Sequence, residues 1–218
     1  MRLYWVTTGY EFKGVVIDRM LEFMSTALNS GIHVSYTRTE GSLIPHVREK
    51  SLGHDITTLD PTKEIYSHPF KGADYDYILI TDSDIVFRYD DFKRLLDADK
   101  DVITGIYRMT NLKYCCVPYY TPYDKATFLE FDQLKKLRSE NSGPIELWHG
   151  GLGFTLIKKG VLESVPLPWF SGSTVTIEEK ERFAGEDVYF FQKIRLAGFK
   201  IWAHPEVLVG HLKYNLLS

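Results

Sequence analysis

Tyr77-Ile78-Leu79-Ile80-Thr81-Asp82-Ser83-Asp84-Ile85-Val86-Phe87 is the stretch on which the reading of this chain turns. Tyr77 to Thr81 is a short run of β-branched, apolar and aromatic residues. Such a run suits a strand buried on both faces, as in a parallel sheet. It stops at two carboxylates one residue apart. Ligands of open α/β sheets bind just beyond the carboxyl ends of strands. The Asp82/Asp84 pair therefore offers two hard oxygen donors where Mg²⁺ or Mn²⁺ carrying phosphates would sit.

Asp-x-Asp alone is common, and the chain has four: Asp74/Asp76, Asp82/Asp84, Asp97/Asp99 and Asp99/Asp101. The first lies in a polar approach to the strand, and the last two lie in a charged turn. Asp82/Asp84 alone follows a strand and leads into more apolar residues. The plainer reading of it is a turn in which Asp82 and Ser83 cap backbone amides.

With 218 residues and 44% hydrophobic content, the chain can bury one sizeable core. A net charge of -3 gives no reason to invoke nucleic acid or an anionic membrane. Adjacent cysteines rarely pair, so Cys115-Cys116 reads as two reduced thiols in a reducing compartment. Met1 to Val6 reads as a first strand and not a signal peptide. No apolar run approaches the ~18 residues of a membrane span. The expectation is a soluble, cytoplasmic chain.

Outward from the central strand, Leu3 to Val6 reads as strand one and ends in Thr7-Thr8-Gly9. Phe12, Val15, Val16, Arg19, Met20, Phe23 and Ala27 fall at helical spacing, and Ile32 to Thr37 reads as strand two. This is a βαβ unit with a parallel pair and a right-handed connection. Ser42 to Leu52 suggests a short helix carrying Arg48, by default a surface arginine. Residues 53–76 look loop-rich. Asp90 to Leu96 reads as a helix, and Val102 to Ile106 as another buried strand. Residues 109–128 are rich in tyrosine (Tyr114, Tyr119, Tyr120, Tyr123) and suggest a β-ribbon, an edge strand or a mobile loop. Glu130 to Arg138 reads as helical, and Ser139 to Pro144 as a polar break.

Two later stretches add chemistry. Trp148-His149-Gly150-Gly151-Leu152-Gly153-Phe154 puts three glycines before a strand, where a backbone can approach a ligand closely. Lys158 to Val165 reads as a short helix, Pro166 to Ser173 as a loop, and residues 174–184 as polar and mobile. Gly185-Glu186-Asp187 then opens an amphipathic helix. Acids are favoured at a helix N-terminus by the dipole alone, by up to ~1 kcal/mol. Lys200 to Ala203 is a last strand, before Val207-Leu208-Val209-Gly210-His211.

Taken in order, these stretches resemble the GT-A family of nucleotide-sugar glycosyltransferases, over about residues 3–213. The resemblance rests on the βαβ start, Pro45-His46-Val47-Arg48, the strand with Asp82/Asp84, Val102 to Tyr107, the Gly-Gly-x-Gly-Phe turn, the Glu-Asp helix and Gly210-His211. The compact size is also similar to that of small glycosyltransferases encoded by large algal (chlorella) viruses. The implied fold is α/β, with a mixed, mostly parallel, Rossmann-like central sheet flanked by helices. It forms a single domain over 1–218, with a nucleotide-binding half (1–107) and an acceptor and catalytic half (108–218).

The resemblance also implies roles. Asp84 and His211 would bind Mn²⁺ (or Mg²⁺), with Asp82 at the metal or the nucleotide ribose. Thr7, Thr8, Gly9, Arg38, Arg48 and Ser83 would lie along the nucleotide, and Gly150 and Gly151 along the donor sugar. Asp187 and Glu186 would be the catalytic carboxylates, one of them a general base if the reaction inverts. The implied activity moves a hexose from a UDP-sugar such as UDP-glucose to a hydroxyl on a glycan or glycoprotein. The main alternative is a haloacid-dehalogenase-type phosphohydrolase with Asp82 as nucleophile. Against it, that motif normally opens the first strand of its domain, and about 80 residues precede it here. A nucleotidyltransferase lacks its Gly-rich, basic N-terminal signature here. A binding domain with purely structural acids is the non-enzyme reading.

Overall fold

The computed structural model describes residues 1–60, 63–119, 127–177 and 180–213. In chain order these form β1 (Arg2–Thr8), α1 (Gly14–Asn29), β2 (His33–Thr39), α2 (Ile44–Ser51), β3 (Tyr77–Asp82), β4 (Ile85–Val86), α3 (Tyr89–Asp97), β5 (Val102–Ile106), β6 (Val117–Pro118), α4 (Phe131–Ser139), β7 (Ile145–His149), β8 (Phe154–Lys158), β9 (Ser173–Ile177), β10 (Lys180–Ala184), α5 (Glu186–Leu196), β11 (Ile201–Leu208) and β12 (Gly210–His211).

Eight strands make one sheet in the order β2-β1-β3-β8-β5-β11-β7-β6. β1 pairs in parallel with both β2 and β3, and β5 with β11. β8 runs against β3 and β5, and β7 against β11 and β6. Six of the eight strands therefore share one direction, which is the mixed, mostly parallel sheet expected. β3 lies in the middle, and Ile78, Leu79 and Ile80 are at most 1% exposed. A strand covered on both faces can carry an unbroken apolar run.

Aromatic packing locks β1 and the segment after β4 to α1 and α3. Trp5 meets Phe23 and Phe87 edge-on at 4.9 and 5.7 Å, and Phe23 meets Phe92 at 5.3 Å. Edge-to-face contacts of this kind add to the burial of large rings. The Trp5 indole N–H, which burial would otherwise leave unpaired, donates to Thr81 Oγ1 at 2.9 Å. Both cysteines are free and buried. No described helix is long and apolar enough to cross a membrane.

Several expectations need correction. Lys158 to Val165 is a turn with one 3₁₀ segment, Leu162–Ser164, and not a helix. Gly160 adopts φ +96° there, which a continuing helix does not allow. Residues 174–184, expected to be polar and mobile, contain most of the antiparallel pair β9–β10. β7 lies between the expected break at Ser139 to Pro144 and the glycine run from Gly150, where no strand was expected. β11 runs on through Pro205 to Leu208, with a register shift between Ala203 and Leu208. Arg48 is 5% exposed and not a surface residue. In the tyrosine-rich segment, Arg108 bridges to Tyr114 and Val117–Pro118 forms the outermost strand; Tyr120 and Tyr123 lie outside the described residues.

Candidate active site

The carboxyl ends of β1 and β3 lie side by side, with Thr8 opposite Asp82 in the register. Thr8 Oγ1 donates to Asp82 Oδ1 at 2.9 Å, and Ser83 N donates to Thr8 O at 3.0 Å. Thr7 turns inward, 1% exposed, with its hydroxyl 3.1 Å from that of Thr81. Gly9 crosses Ser83 so closely that a Cβ would lie 2.0 Å from Ser83 Oγ, and its φ is +143°. Only glycine fits both demands.

Asp82 belongs to a chain of charge centred on a buried arginine. Arg48 rises from α2 and places Nη2 3.0 Å from Asp82 Oδ1. Its Nε lies 3.7 Å from Glu186 Oε1, at the start of α5. Arg48 thus sits between the Asp-x-Asp turn and the Glu-Asp helix, the two acidic stretches singled out in the sequence. Burial alone would lower its pKa, but the carboxylates of Asp82, Glu186 and Asp187 outweigh that and raise it. Its Nε and Nη1 still lack a hydrogen-bond partner. Asp187 accepts from Val188 N at 2.7 Å. Burial holds its carboxyl above the ordinary value, against that bond and the charge of Arg48.

The next residue on α2, Glu49, is fully buried. It accepts from Phe170 N at 2.7 Å, and its Oε2 has no partner. Burial pushes its pKa up to about 7, partly offset by hydrogen bonds from Phe170 and Trp169 and by the charge of Lys193. Lys193, on α5, donates to the carbonyls of Pro166 and Pro168. α2, the 166–170 segment and α5 are thereby tied together behind Arg48.

Asp84 faces the other way. The two-residue strands β4 and β12 pair so that His211 lies opposite Ile85. This clasp carries His211 Nε2 to 3.2 Å from Asp84 Oδ2, and Lys213 Nζ to 2.8 Å from the same oxygen. Leu212 N donates to Asp84 O. Burial would raise the Asp84 pKa, but hydrogen bonds and charge from His211 and Lys213 pull it below the ordinary value. His211 is shifted up: burial opposes this, and Asp84 and the Arg108 carbonyl more than compensate. His211 Nδ1 donates to Arg108 O at 2.6 Å. That bond sets the ring orientation and, in the neutral tautomer, leaves Nε2 with its lone pair toward Asp84 and able to accept a cation.

Asp84 opens on a cleft of about 520 Å³ that Tyr10, Lys13, Ser83 and Lys213 also line. A carboxylate oxygen and an imidazole nitrogen are a donor pair that suits Mn²⁺. Among the described residues no third His, Cys, Asp or Glu joins them. Two protein donors fit an ion that completes its shell with phosphate oxygens and water.

The other expected residues lie elsewhere. Arg38 is exposed on β2, paired with Glu40 and set over the Phe12 ring at 5.7 Å. Gly150 and Gly151 are buried, and the room they leave is filled by the protein itself. A Cβ on Gly150 would lie 2.9 Å from Thr104 Cγ2, and one on Gly151 2.0 Å from the Tyr107 hydroxyl. That hydroxyl accepts from Gly153 N at 3.2 Å. Sequence reasoning missed Lys213, Lys13 and Glu49. Nothing in a lone lysine two residues past His211 marks it off from a surface lysine, and the buried carboxylate of Glu49 is visible only once α2 is packed.

No protein-family model matches the sequence, and no curated protein matches it. Solved structures match over nearly the whole chain. One is A197 from STIV, at 19% identity and TM-score 0.54, covering 100% of this chain and 97% of that one. Another is GalNAc-T7 with UDP, GalNAc and Mn²⁺, at 11% identity and TM-score 0.56, covering 98% of this chain. This chain spans 44% of the length of that protein. At such identities the likeness is one of fold, and the fold is of the GT-A type.

Proposed function

We propose that this protein is a metal-dependent glycosyltransferase that moves a hexosyl group from a UDP-sugar to a hydroxyl of a glycan or a protein-linked glycan. The observation that carries this reading is the Asp84–His211 pair, 3.2 Å apart at the edge of a cleft with Lys13 and Lys213, on a GT-A-type sheet. Loss of a nucleoside diphosphate builds negative charge. The two lysines supply cationic charge on the wall of that cleft, beside the carboxylates of Glu11 and Asp84. Mn²⁺ or Mg²⁺ bound through Asp84 and His211 would supply Lewis-acid stabilisation of the departing diphosphate.

The chain's own residues do the rest. Thr8, Gly9 and Ser83 shape the turn on which the nucleotide would lie. Arg48 holds Asp82 and Glu186 in one arrangement from a buried position. Asp187 is the proposed base for the acceptor hydroxyl in an inverting reaction, since burial raises its proton affinity toward the working range. Glu186, held by Arg48, is the positioning partner. The phosphohydrolase alternative needs Asp82 as a free nucleophile, and Asp82 Oδ1 is already bound by Thr8 and Arg48.

Calorimetric titration of UDP, UDP-glucose and GDP-mannose, each with Mn²⁺ and with chelator, tests the proposal. Binding of UDP and UDP-glucose only when metal is present is the expected result. No nucleotide binding, together with Mg²⁺-dependent release of phosphate from a generic ester, would replace it with the phosphohydrolase.

A further inference from the structure

His211 stands between two openings. Asp84 and the cleft of the preceding subsections lie on one side. On the other, a groove of about 450 Å³ starts at His211 and Arg108 and runs past Tyr114, Phe131 and Leu208. A second hollow of about 280 Å³ shares Tyr114, Phe131 and Leu208 and extends it to Lys135 and Arg138 on α4.

The charge along this path has one sign. Arg108, Lys135 and Arg138 line it, and none of its described lining residues is acidic. Arg108 sits over the rings of Tyr114 and Phe131, 5.6 and 5.8 Å from their centroids, and makes no ion pair among the described residues. Lys135 is likewise without an ion pair there. Arg138 reaches only Glu206, at 3.4 Å. Phe131 is 56% exposed, an uncommon position for a phenyl ring beside so many cations. An open aromatic face with guanidinium and ammonium groups around it matches a ligand with an apolar face and an anionic edge.

We propose that this groove binds an anionic saccharide, one bearing a carboxylate, sulfate or phosphate group. A sugar ring would lie on Phe131, with its anionic group toward Arg108 and Lys135. Its role as the acceptor site rests on the glycosyltransferase reading, because the groove ends at His211, whose Nε2 lies 3.2 Å from Asp84 of the donor cleft. A macromolecule bound only through its net charge would not need the exposed ring.

The test uses the whole chain, with trigalacturonate as probe and its trimethyl ester as the neutral control. Calorimetry is run with and without UDP and Mn²⁺. The expected result is binding of trigalacturonate and not of the ester. Lys135→Gln and Arg108→Gln should each weaken it about tenfold. Phe131→Ala should weaken it while a net-charge mechanism predicts no change. UDP binding with Mn²⁺ should be unaltered in Lys135→Gln. If UDP binds with Mn²⁺ but the acid and its ester bind equally or not at all, the anionic groove is overturned and the glycosyltransferase reading survives. If trigalacturonate binds as described and no nucleotide does, the groove stands and the acceptor role falls.

Discussion

Asp82 and Asp84 are one residue apart and about equally exposed, 30% and 34%, but different cations hold them. Asp82 is drawn inward by Thr8 and by Arg48, whose side chain is 6% exposed, and through Arg48 it is linked to Glu186 on α5. Asp84 is drawn outward by His211 and Lys213 at the edge of a cleft. A strand's alternation puts residues i and i+2 on one side, yet the chain turns after Asp82, and β4 is held by β12 instead of the main sheet. One motif therefore serves two purposes. On the Asp82 side the cation, Arg48, is buried and holds three elements together. On the Asp84 side the cation, Lys213, is exposed and lines a cleft with Asp84. Substitutions on the first side should act mainly on stability, and on the second mainly on binding.

The largest effect is expected at Arg48. Arg48→Ala leaves Asp82 and Glu186 facing each other without their cation, and removal of one partner from a buried ion pair costs about 3–5 kcal/mol. Urea denaturation should show a loss near the lower end of that range, because the two carboxylates are 30% and 25% exposed. A loss below about 1 kcal/mol would mean that the Asp82 side is no more structural than the Asp84 side.

Glu49 sharpens the same side through pH. Its folded pKa, about 7, is above the ordinary carboxyl value, so the native state binds the proton more tightly than the unfolded chain. This contribution to stability is fully present below the unfolded pKa of about 4.3 and is lost as pH rises toward 7. Glu49→Gln removes that loss and should raise stability at pH 8 by about 1–3 kcal/mol, with little gain at pH 4. Denaturation midpoints at the two pH values measure it, and an equal change at both would remove burial of the charge as the cause.

Gly9 lies at the seam between the two sides. Gly9→Ala must move Ser83 and strain the backbone at φ +143°, at a cost of about 1–3 kcal/mol. It should also weaken UDP binding, because the displaced residue stands between Asp82 and Asp84. The smallest stability change belongs to Lys213→Ala, within about 1 kcal/mol, since the pair it makes with Asp84 is partly exposed. Its UDP affinity should nonetheless fall by about tenfold. Unchanged affinity would confine Lys213 to a structural contact.

How much of this was legible in the sequence depends on the range of the interactions. β1, α1, β2, β3, α3 and β5 carry their own signals, an apolar run or a helical repeat, and each was read from its own residues within a few positions. β7, Ile-Glu-Leu-Trp-His, buries only Leu147 well and owes its place to pairing with β11 and β6, which no local pattern announces. β9 does alternate, Ser-Thr-Val-Thr-Ile, but threonine-rich composition masked it as a polar loop. The site divides in the same way. The acidic stretches were visible because carboxylates beside strand and helix ends are conspicuous. The bond between them, Arg48, looked like a surface residue because arginine is seldom fully buried. The glycine run carried a misleading signal as well: close approach was read correctly, but what approaches Gly150 and Gly151 is Thr104 and Tyr107.

The proposed metal-dependent nucleotide-sugar site rests on Asp84 and not on a likeness of fold. Calorimetric titration of UDP with Mn²⁺ into the native chain and into Asp84→Asn tests it most directly, with circular dichroism on both. The account predicts metal-dependent binding to the native chain, loss of at least tenfold in Asp84→Asn, and superimposable spectra. Equal Mn²⁺-dependent affinity in the two folded proteins would contradict it.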